Sequence, residues 1–323
     1  RDRNMTINEV TYGCLIDGFI RGKKMDKALA VFHQMKEDGH EGNTVIHTTL
    51  IKGFTRCKQL DQALEVYEQM KQSNAAQPNL ITYNSLLDCC ISCFTFDKMD
   101  QLFEEMKSDD CQVEPDLITY STLIKGFCKA KNIDRAMEVY EDLKPRGFEP
   151  DEVLYNSLLD GCAKTQNFDQ AMEIYDEMLK QNVSRSNVTY SIMIKLHAGK
   201  GNIEKSLELF DEMEQRNVRP GMIVFTCLIQ SCIRQKKIDR AVELFKDMRV
   251  KGVKADHVVY NTIISGCVYN QRLQRACEFL LDSFSDEIKL ADDIYTKVLR
   301  NLTHNHRDMS KEVRTDFGTR ICA

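Results

Sequence analysis

A tyrosine-centred segment returns along this chain at an almost fixed interval, and no other feature restricts the possible folds as strongly. Its members are Thr11-Tyr12, Ile46-His47, Thr82-Tyr83, Thr119-Tyr120, Leu154-Tyr155, Thr189-Tyr190, Val224-Phe225 and Val259-Tyr260, with Tyr295 as a ninth mark. Successive marks stand 35, 36 and 37 residues apart and then 35 apart five times. A period of that length signals a repeat array, in which each unit buries its apolar face against its neighbours instead of closing a globular core. The 323 residues therefore read as one array and not as two ordinary domains.

Within each unit the apolar residues follow helical spacing twice, as in Tyr120-Leu123-Ile124-Phe127 and then Ile133-Ala136-Met137-Tyr140-Leu143. Each unit is thus a hairpin of two amphipathic helices. Asp26, Asp61, Asp97, Asp134, Asp169 and Asp239 recur at the start of the second helix, where a carboxylate is expected to cap free amides and favour the helix dipole. Alanine at 28, 63, 136, 171, 241 and 276 marks a close helix crossing. Phe32, Tyr67, Phe103, Tyr140, Tyr175, Phe210 and Phe245 fill the space one turn later, ahead of a recurring methionine or leucine. The predicted fold is all-α: an α-solenoid of stacked helix-turn-helix repeats forming a superhelix, with an extended concave face. Eight full units are expected over 9–43, 44–79, 80–116, 117–151, 152–186, 187–221, 222–256 and 257–291, after a remnant of a preceding repeat at 1–8. Residues 292–323 open like a ninth hairpin but carry Lys311 in place of the alanine, so they read as a degenerate cap.

Several motifs together resemble the pentatricopeptide repeat family, in its P-type form. They are Val-Thr-Tyr-Asn-x-Leu-Ile, the Gly-Phe-Cys-Lys of 126–129, the Asp-x-Ala-x-x-Val-Tyr/Phe-x-x-Met of the second helix and the Pro-Asp at 115–116. Tetratricopeptide repeats have a period of 34 and an early tryptophan, whereas this chain has a period of 35 and no tryptophan. Departures are local: Cys89 and Met99 replace the usual glycine and alanine in the third unit, and the links near 72–78 and 108–114 carry extra residues.

The resemblance implies that one repeat reads one base of single-stranded RNA, with the chain parallel to the strand from its 5′ side. The apolar residue two before the tyrosine would sandwich the base: Val10, Val45, Ile81, Ile118, Val153, Val188, Ile223 and Val258. The alternative is that β-branched residues merely open a packed helix. The residue after the tyrosine and the last residue of the repeat would select the base. A terminal aspartate only accepts and suits the N–H of U or G, while a terminal asparagine can donate to A; companion asparagine favours pyrimidines, and serine or threonine leaves room for purines. By this resemblance Thr48 with Asn79 reads A, Asn84 with Asp116 reads U, Ser121 with Asp151 reads G, Asn156 with Ser186 reads C, and Thr226 with Asp256 reads G. Gly13 with Asn43, Ser191 with Gly221, and Asn261 with Ala291 form no clear pair, so the expected target is 5′-N-A-U-G-C-N-G-N-3′.

A formal charge of −5 argues against a nucleic-acid ligand when taken as an average. Its distribution argues the other way, because the end of the first helix and the following turn are basic while acids collect in the second helix, as in Glu141-Asp142 and Asp211-Glu212. Arg21, Arg56, Lys129, Lys164 and Arg234 hold the matching place in five repeats and are the phosphate candidates; solvated turn cations are the plainer reading. The third repeat has Ser92 and Cys93 there, which predicts a weak point.

Nothing in the sequence suggests catalysis, a cofactor or a small-molecule substrate. Cys90 and Cys93 have metal-ligand spacing but no second pair, His304 and His306 sit in a polar stretch read as a turn, and the H-x-E with C-x-x-C of the deaminase domain carried by some family members is absent. The thirteen cysteines, including Cys14, Cys128, Cys162 and Cys232, fall at apolar helix positions and are expected to be reduced and buried. No apolar run is long enough for a membrane span. The start at Arg1-Asp2-Arg3 shows no leader and reads as a segment of a longer chain, so a mitochondrial or plastid location rests on the resemblance alone. The expected function is sequence-preferring RNA binding in organellar RNA stabilisation, processing or translation. The rival expectation is an architectural subunit of a large ribonucleoprotein or transcription assembly, gripping protein subunits or folded RNA.

Overall fold

The computed structural model describes residues 8–73, 75–108 and 111–305. Residues 1–7 of the remnant expected at 1–8, and the second half of the ninth hairpin with Lys311 and His306, lie outside the described residues.

Each repeat forms two helices. The first helices are α1 (Glu9–Arg21), α3 (Thr44–Cys57), α5 (Leu80–Cys93), α7 (Leu117–Lys129), α9 (Glu152–Thr165), α11 (Asn187–Gly199), α13 (Met222–Arg234) and α15 (His257–Tyr269). The second helices are α2 (Met25–Glu37), α4 (Leu60–Gln72), α6 (Phe96–Lys107), α8 (Ile133–Leu143), α10 (Phe168–Lys180), α12 (Ile203–Gln215), α14 (Ile238–Val250) and α16 (Leu273–Ser285). A final helix, α17 (Asp292–Asn305), begins the ninth hairpin and includes His304, which is therefore helical and not in a turn. The described residues contain no strand. They also contain no helix long and apolar enough to cross a membrane.

The chain divides into two units, 1–183 and 184–323, each a stack of hairpins. In each unit a first helix packs on its own second helix and on the first helix of the next repeat. The tyrosines at the repeat marks fill this core: Tyr12, Tyr83, Tyr120, Tyr155, Tyr190, Phe225 and Tyr260 are buried, as are the alanines at 28, 63, 136, 171, 241 and 276. Met99 and Ser206 take the alanine position in the third and sixth repeats and are equally buried.

Two details differ from the sequence expectation. The recurring aspartates are not caps: each second helix starts one residue earlier, and Asp26, Asp61, Asp97, Asp134, Asp169 and Asp239 sit inside its first turn, where they act on the dipole only. The residue just ahead of these helices is variable, and only Asn132 and Asn167 accept an amide there. Cysteine burial is also uneven. Cys128, Cys162 and Cys232 are buried, but Cys14 is exposed, as is Cys57.

Candidate nucleic-acid interface

A helix start leaves its first amides without partners, and the chain supplies the acceptor from the last residue of the preceding repeat. Asn43 Oδ1 accepts from the Ile46 amide at 3.1 Å, Asn79 from Thr82 at 3.0 Å, Asp116 from Thr119 at 2.8 Å, Asp151 from Leu154 at 2.9 Å and Asp256 from Val259 at 2.9 Å. Ser186 Oγ accepts from Val188 at 3.1 Å. Asn8 does the same for α1. Gly221 has no side chain to offer, and Ala291, just before α17, has only a methyl. Every terminal residue of the expected base-selecting pairs is therefore the residue just before a first helix.

This second role fixes which atom each side chain has left. When Oδ1 is committed to the amide, Asn79 has its Nδ2 donor remaining and Asp116, Asp151 and Asp256 have Oδ2 as an acceptor. In the five repeats that end in asparagine or aspartate, the cap thus sets donor against acceptor at the same point.

One residue into each first helix, the apolar row faces outward. Val10 and Val45 are 71% exposed, Val153 67%, Ile118 64%, Ile223 59%, Val188 56%, Ile81 55% and Val258 42%. These eight account for most of the large apolar side chains exposed among the described residues. The packed-helix reading of these β-branched residues fails, because none of them enters the core. Residue 293, the matching place in α17, is an aspartate paired with Lys297 at 3.1 Å.

The residues after the tyrosine lie beside this row and are half-buried, except Thr48, which is buried. Thr48 Oγ1 meets Thr82 Oγ1 at 2.9 Å. Asn84 faces Asp116, with Nδ2 donating to Oδ1 at 3.4 Å. Ser121 and Thr226 turn back onto their own helix, donating to the carbonyls of Leu117 and Met222. Ser191 bonds the Asn187 carbonyl, Asn156 Nδ2 donates to Glu152, and Gly13 offers no side chain. Asn261 stands in an open cleft of about 800 Å³ between α13 and α15, lined also by Arg234, Val258 and Tyr269.

The cationic edge is less free than its sequence implies. Arg21 pairs with Asp17 at 2.7 Å and Lys164 with Asp160 at 2.5 Å, each one turn back on its own helix. Lys129 reaches into the third repeat, donating to the Ile91 carbonyl at 3.2 Å and lying 4.4 Å from the Phe94 ring centre. The cation missing from the third repeat is thus supplied by the fourth. Arg56 and Arg234 have no ion-pair partner among the described residues and line open clefts. In the eighth repeat the matching position is Tyr269, 78% exposed.

Most second-helix acids are already engaged. In unit 1, Glu105 pairs with Lys71, Asp100 and Glu104 with Arg135, Asp142 with Lys107 and Glu177 with Lys144. In unit 2, Asp282 and Asp286 pair with Arg249, Glu214 with Lys251 and Asp239 with Arg275. These pairs join neighbouring repeats. Burial, the largest effect on Cys90, pushes its thiol up to about 11, which works against the thiolate a metal would need.

The family described as the pentacotripeptide-repeat region of PRORP matches residues 9–170, and the PPR repeat family matches 150–199 and 220–269. No curated protein sequence matches the chain. Among solved structures, the pentatricopeptide repeat protein PPR10 from maize superposes with a TM-score of 0.85 at 19% identity, over 99% of this chain and 44% of PPR10. PPR10 in complex with an 18-nt psaJ RNA element superposes at 0.77, also at 19% identity, over 98% of this chain and 45% of that one. The PPR domain of Arabidopsis thaliana protein-only RNase P 1, in complex with tRNA, superposes at 0.51 and 14% identity, over 55% of this chain and 93% of the domain. The chain spans under half the length of PPR10.

Proposed function

Given that this chain belongs to the pentatricopeptide repeat family, we propose that it binds single-stranded RNA through the faces of its first helices, at about one base per repeat. The observation that carries this reading is the row of eight exposed valines and isoleucines, each three residues before a half-buried residue, buried only at Thr48, and each but Ile223 behind a side-chain helix cap. An apolar row left in water marks an interaction surface. Its pitch of one residue per repeat suits a ligand that presents one flat apolar face per unit, as a strand of splayed bases does. Arg56 and Arg234 serve the phosphates, with Arg21, Lys129 and Lys164 released from local partners where the strand passes.

With the repeats divided as in the sequence reading, the strand is 5′-N-A-U-G-C-N-G-N-3′. Action is by occupancy: a bound strand is shielded from nucleases or held away from a competing hairpin. The setting is an organelle, in keeping with the family resemblance.

The test is binding of the purified chain to labelled RNA of that sequence, to a scrambled strand and to the matching DNA, over a salt series. Preference for the stated RNA is expected, and Asn84→Thr with Asp116 retained should move the choice at the third base from U to G. Equal binding to every strand sinks the base-reading proposal and leaves the architectural role as the better one.

A further inference from the structure

At two reading positions a third side chain joins the two selecting residues. The threonine before the tyrosine of the following repeat, fully buried at Thr82 and Thr119, stands between the two members of a pair. At the junction of the third and fourth repeats, Thr119 Oγ1 lies 2.8 Å from Asn84 Oδ1 and 2.8 Å from Asp116 Oδ1, and accepts from the Asp116 amide at 3.3 Å. Its backbone amide also donates to Asp116 Oδ1. At the preceding junction Thr82 Oγ1 meets Thr48 Oγ1 at 2.9 Å and Asn79 Oδ1 at 3.1 Å, and accepts from the Asn79 amide at 3.3 Å.

Behind two other pairs the same position is aliphatic and the pair behaves differently; behind Asn156 and Ser186 it is again a threonine, Thr189, and there Asn156 Nδ2 turns to Glu152. Leu154 stands behind Ser121 and Asp151, and Val259 behind Thr226 and Asp256; both hydroxyls then retract to their own helix carbonyls. At Thr82 and Thr119, where the cap is an asparagine or an aspartate, the companion residue is drawn toward it; in front of Leu154 and Val259 the companion is not.

We propose that Thr82 and Thr119 are positioning residues that fix the hydrogen-bonding sense of the base-selecting pairs Thr48–Asn79 and Asn84–Asp116. The inference rests on the RNA-reading function proposed above. A threonine hydroxyl has one proton, and the asparagine amide has a carbonyl end and an amino end that can exchange by rotation about the terminal bond. With the Thr119 hydroxyl donating to Asn84 Oδ1, the amino end must point at Asp116, and one Nδ2 proton meets Asp116 Oδ1. What remains is one amide N–H as a donor and Asp116 Oδ2 as an acceptor. That pair matches uracil, whose carbonyls accept and whose N3 donates. Cytosine brings an unprotonated N3 to the carboxylate and its amino group to the amide donor, so it meets like against like. Without the threonine hydroxyl the amide can turn over and offer a carbonyl, which accommodates the cytosine amino group. The threonine therefore acts on the ratio of U to C and only weakly on total affinity.

The test uses the whole chain and two eight-base RNAs that differ only in U or C at the third base. Thr119→Val removes the hydroxyl at nearly constant volume, and Val259 shows that a valine packs at this position. Thr119→Ser keeps the hydroxyl. Each variant is checked for the wild-type melting temperature, so a lost preference is not a lost fold. The expected result is that Thr119→Val lowers the U-over-C ratio about fivefold, the size of one hydrogen bond lost from the discrimination, while Thr119→Ser keeps it. A converse change, Val259→Thr, should sharpen the choice made by Thr226 and Asp256 at the seventh base. If Thr119→Val keeps the wild-type ratio, the positioning role is wrong and base reading stands. If the wild-type chain binds both strands equally, base reading by this repeat is wrong and the positioning role falls with it.

Discussion

The two rows of helices solve the same stacking problem by opposite means. First helices approach one another closely because glycines sit on the contacting face. A Cβ on Gly126 would lie 2.5 Å from Met99 Sδ and 2.9 Å from Ile91 Cγ1, one on Gly161 would lie 2.5 Å from Cys128 Sγ, and one on Gly266 would lie 2.6 Å from Ile233 Cδ1. Second helices are joined at a distance by long charged side chains that span one repeat, such as Arg135 to Asp100 at 2.7 Å and Arg275 to Asp239 at 2.6 Å. Short side chains in one row and long ones in the other place the reading residues on the tighter row. There the spacing from repeat to repeat is set by backbone packing, which is stiff, and not by solvated ion pairs, which are soft.

That contrast makes the first row the more brittle. Gly266→Val should be the most damaging change in this set. Exchanging glycine for a residue with a Cβ returns up to about 1 kcal/mol of helix propensity, but over-packing against a branched neighbour costs about 1–3 kcal/mol for each extra group forced in. Three Ile233 side-chain atoms lie within 2.7 Å of the new Cβ, two of them at its branch, so the whole side chain would have to turn away and not merely its end. A net loss of about 3 kcal/mol is expected from urea unfolding. An unchanged midpoint would mean that the first row is as yielding as the second, and the contrast would go.

Arg135→Ala probes the other row at its most connected point. Arg135 bonds Asp100, Glu104 and Glu138, and the hydrogen bond to Asp100 leads the effects that raise its own pKa. Its partners are substantially exposed, so solvent screens most of the Coulomb gain and a loss of about 1 kcal/mol is expected, shrinking as salt rises. A loss equal to that of Gly266→Val, and independent of salt, would show that the ion pairs and not the glycines set the pitch.

What the sequence displays and what it hides follow from the same physics. The period, the helix pairs and the eight apolar positions are legible because each rests on residue type at fixed spacing, which needs no knowledge of neighbours. The outward turn of Val10 or Ile118 is not legible, since a β-branched residue at a helix start looks the same whether it packs or protrudes. The double duty of Asn79 and Asp116 is half-visible: Asn-x-x-Thr at 79–82 and Asp-x-x-Thr at 116–119 follow the spacing of a reciprocal cap, and the structure forms that cap at both places. The recurring aspartates of the second helices mislead for the converse reason. They look like caps but stand inside the first turn, because an apolar residue such as Ile133 or Phe168 begins the helix before them. The pairing of Arg21 with Asp17 and of Lys164 with Asp160 is written in i, i+4 spacing, whereas the reach of Lys129 to Phe94 depends on how two repeats stack.

The rows are also tied to each other in three repeats, and the second repeat has a histidine in place of the tyrosine that makes the tie. Tyr12, Tyr120 and Tyr260 each donate a phenol proton from the first helix to a carboxylate at the end of the second, Asp38, Asp142 and Asp286. Burial and then the Asp142 carboxylate push the Tyr120 phenol up to about 12, so the tie holds its proton throughout the ordinary pH range. In the second repeat His47 stands at this position, and its Nδ1 bonds the carbonyl of Asn43 on its own helix start, at 3.0 Å. Burial lowers the His47 pKa below 6.5, the Asn43 carbonyl opposes that, and the nearby Lys36 charge adds to it. A histidine whose folded pKa lies below its unfolded value favours the neutral form. Its contribution is present above the unfolded value and is lost as pH falls through the folded one. Acid should therefore loosen the second repeat, by the smallest of these effects. His47→Tyr should remove that part of the loss, because the cleft beside His47, about 710 Å³ and bordered by Lys36, His40, Gln69 and Ser73, has room for the larger ring. The measurement is the fall in melting temperature between about pH 7.5 and pH 5.5, which brackets the ordinary imidazole value, for both proteins. An equal fall in the two would show that the acid-sensitive group lies elsewhere, with buried His197 in unit 2 the next to substitute.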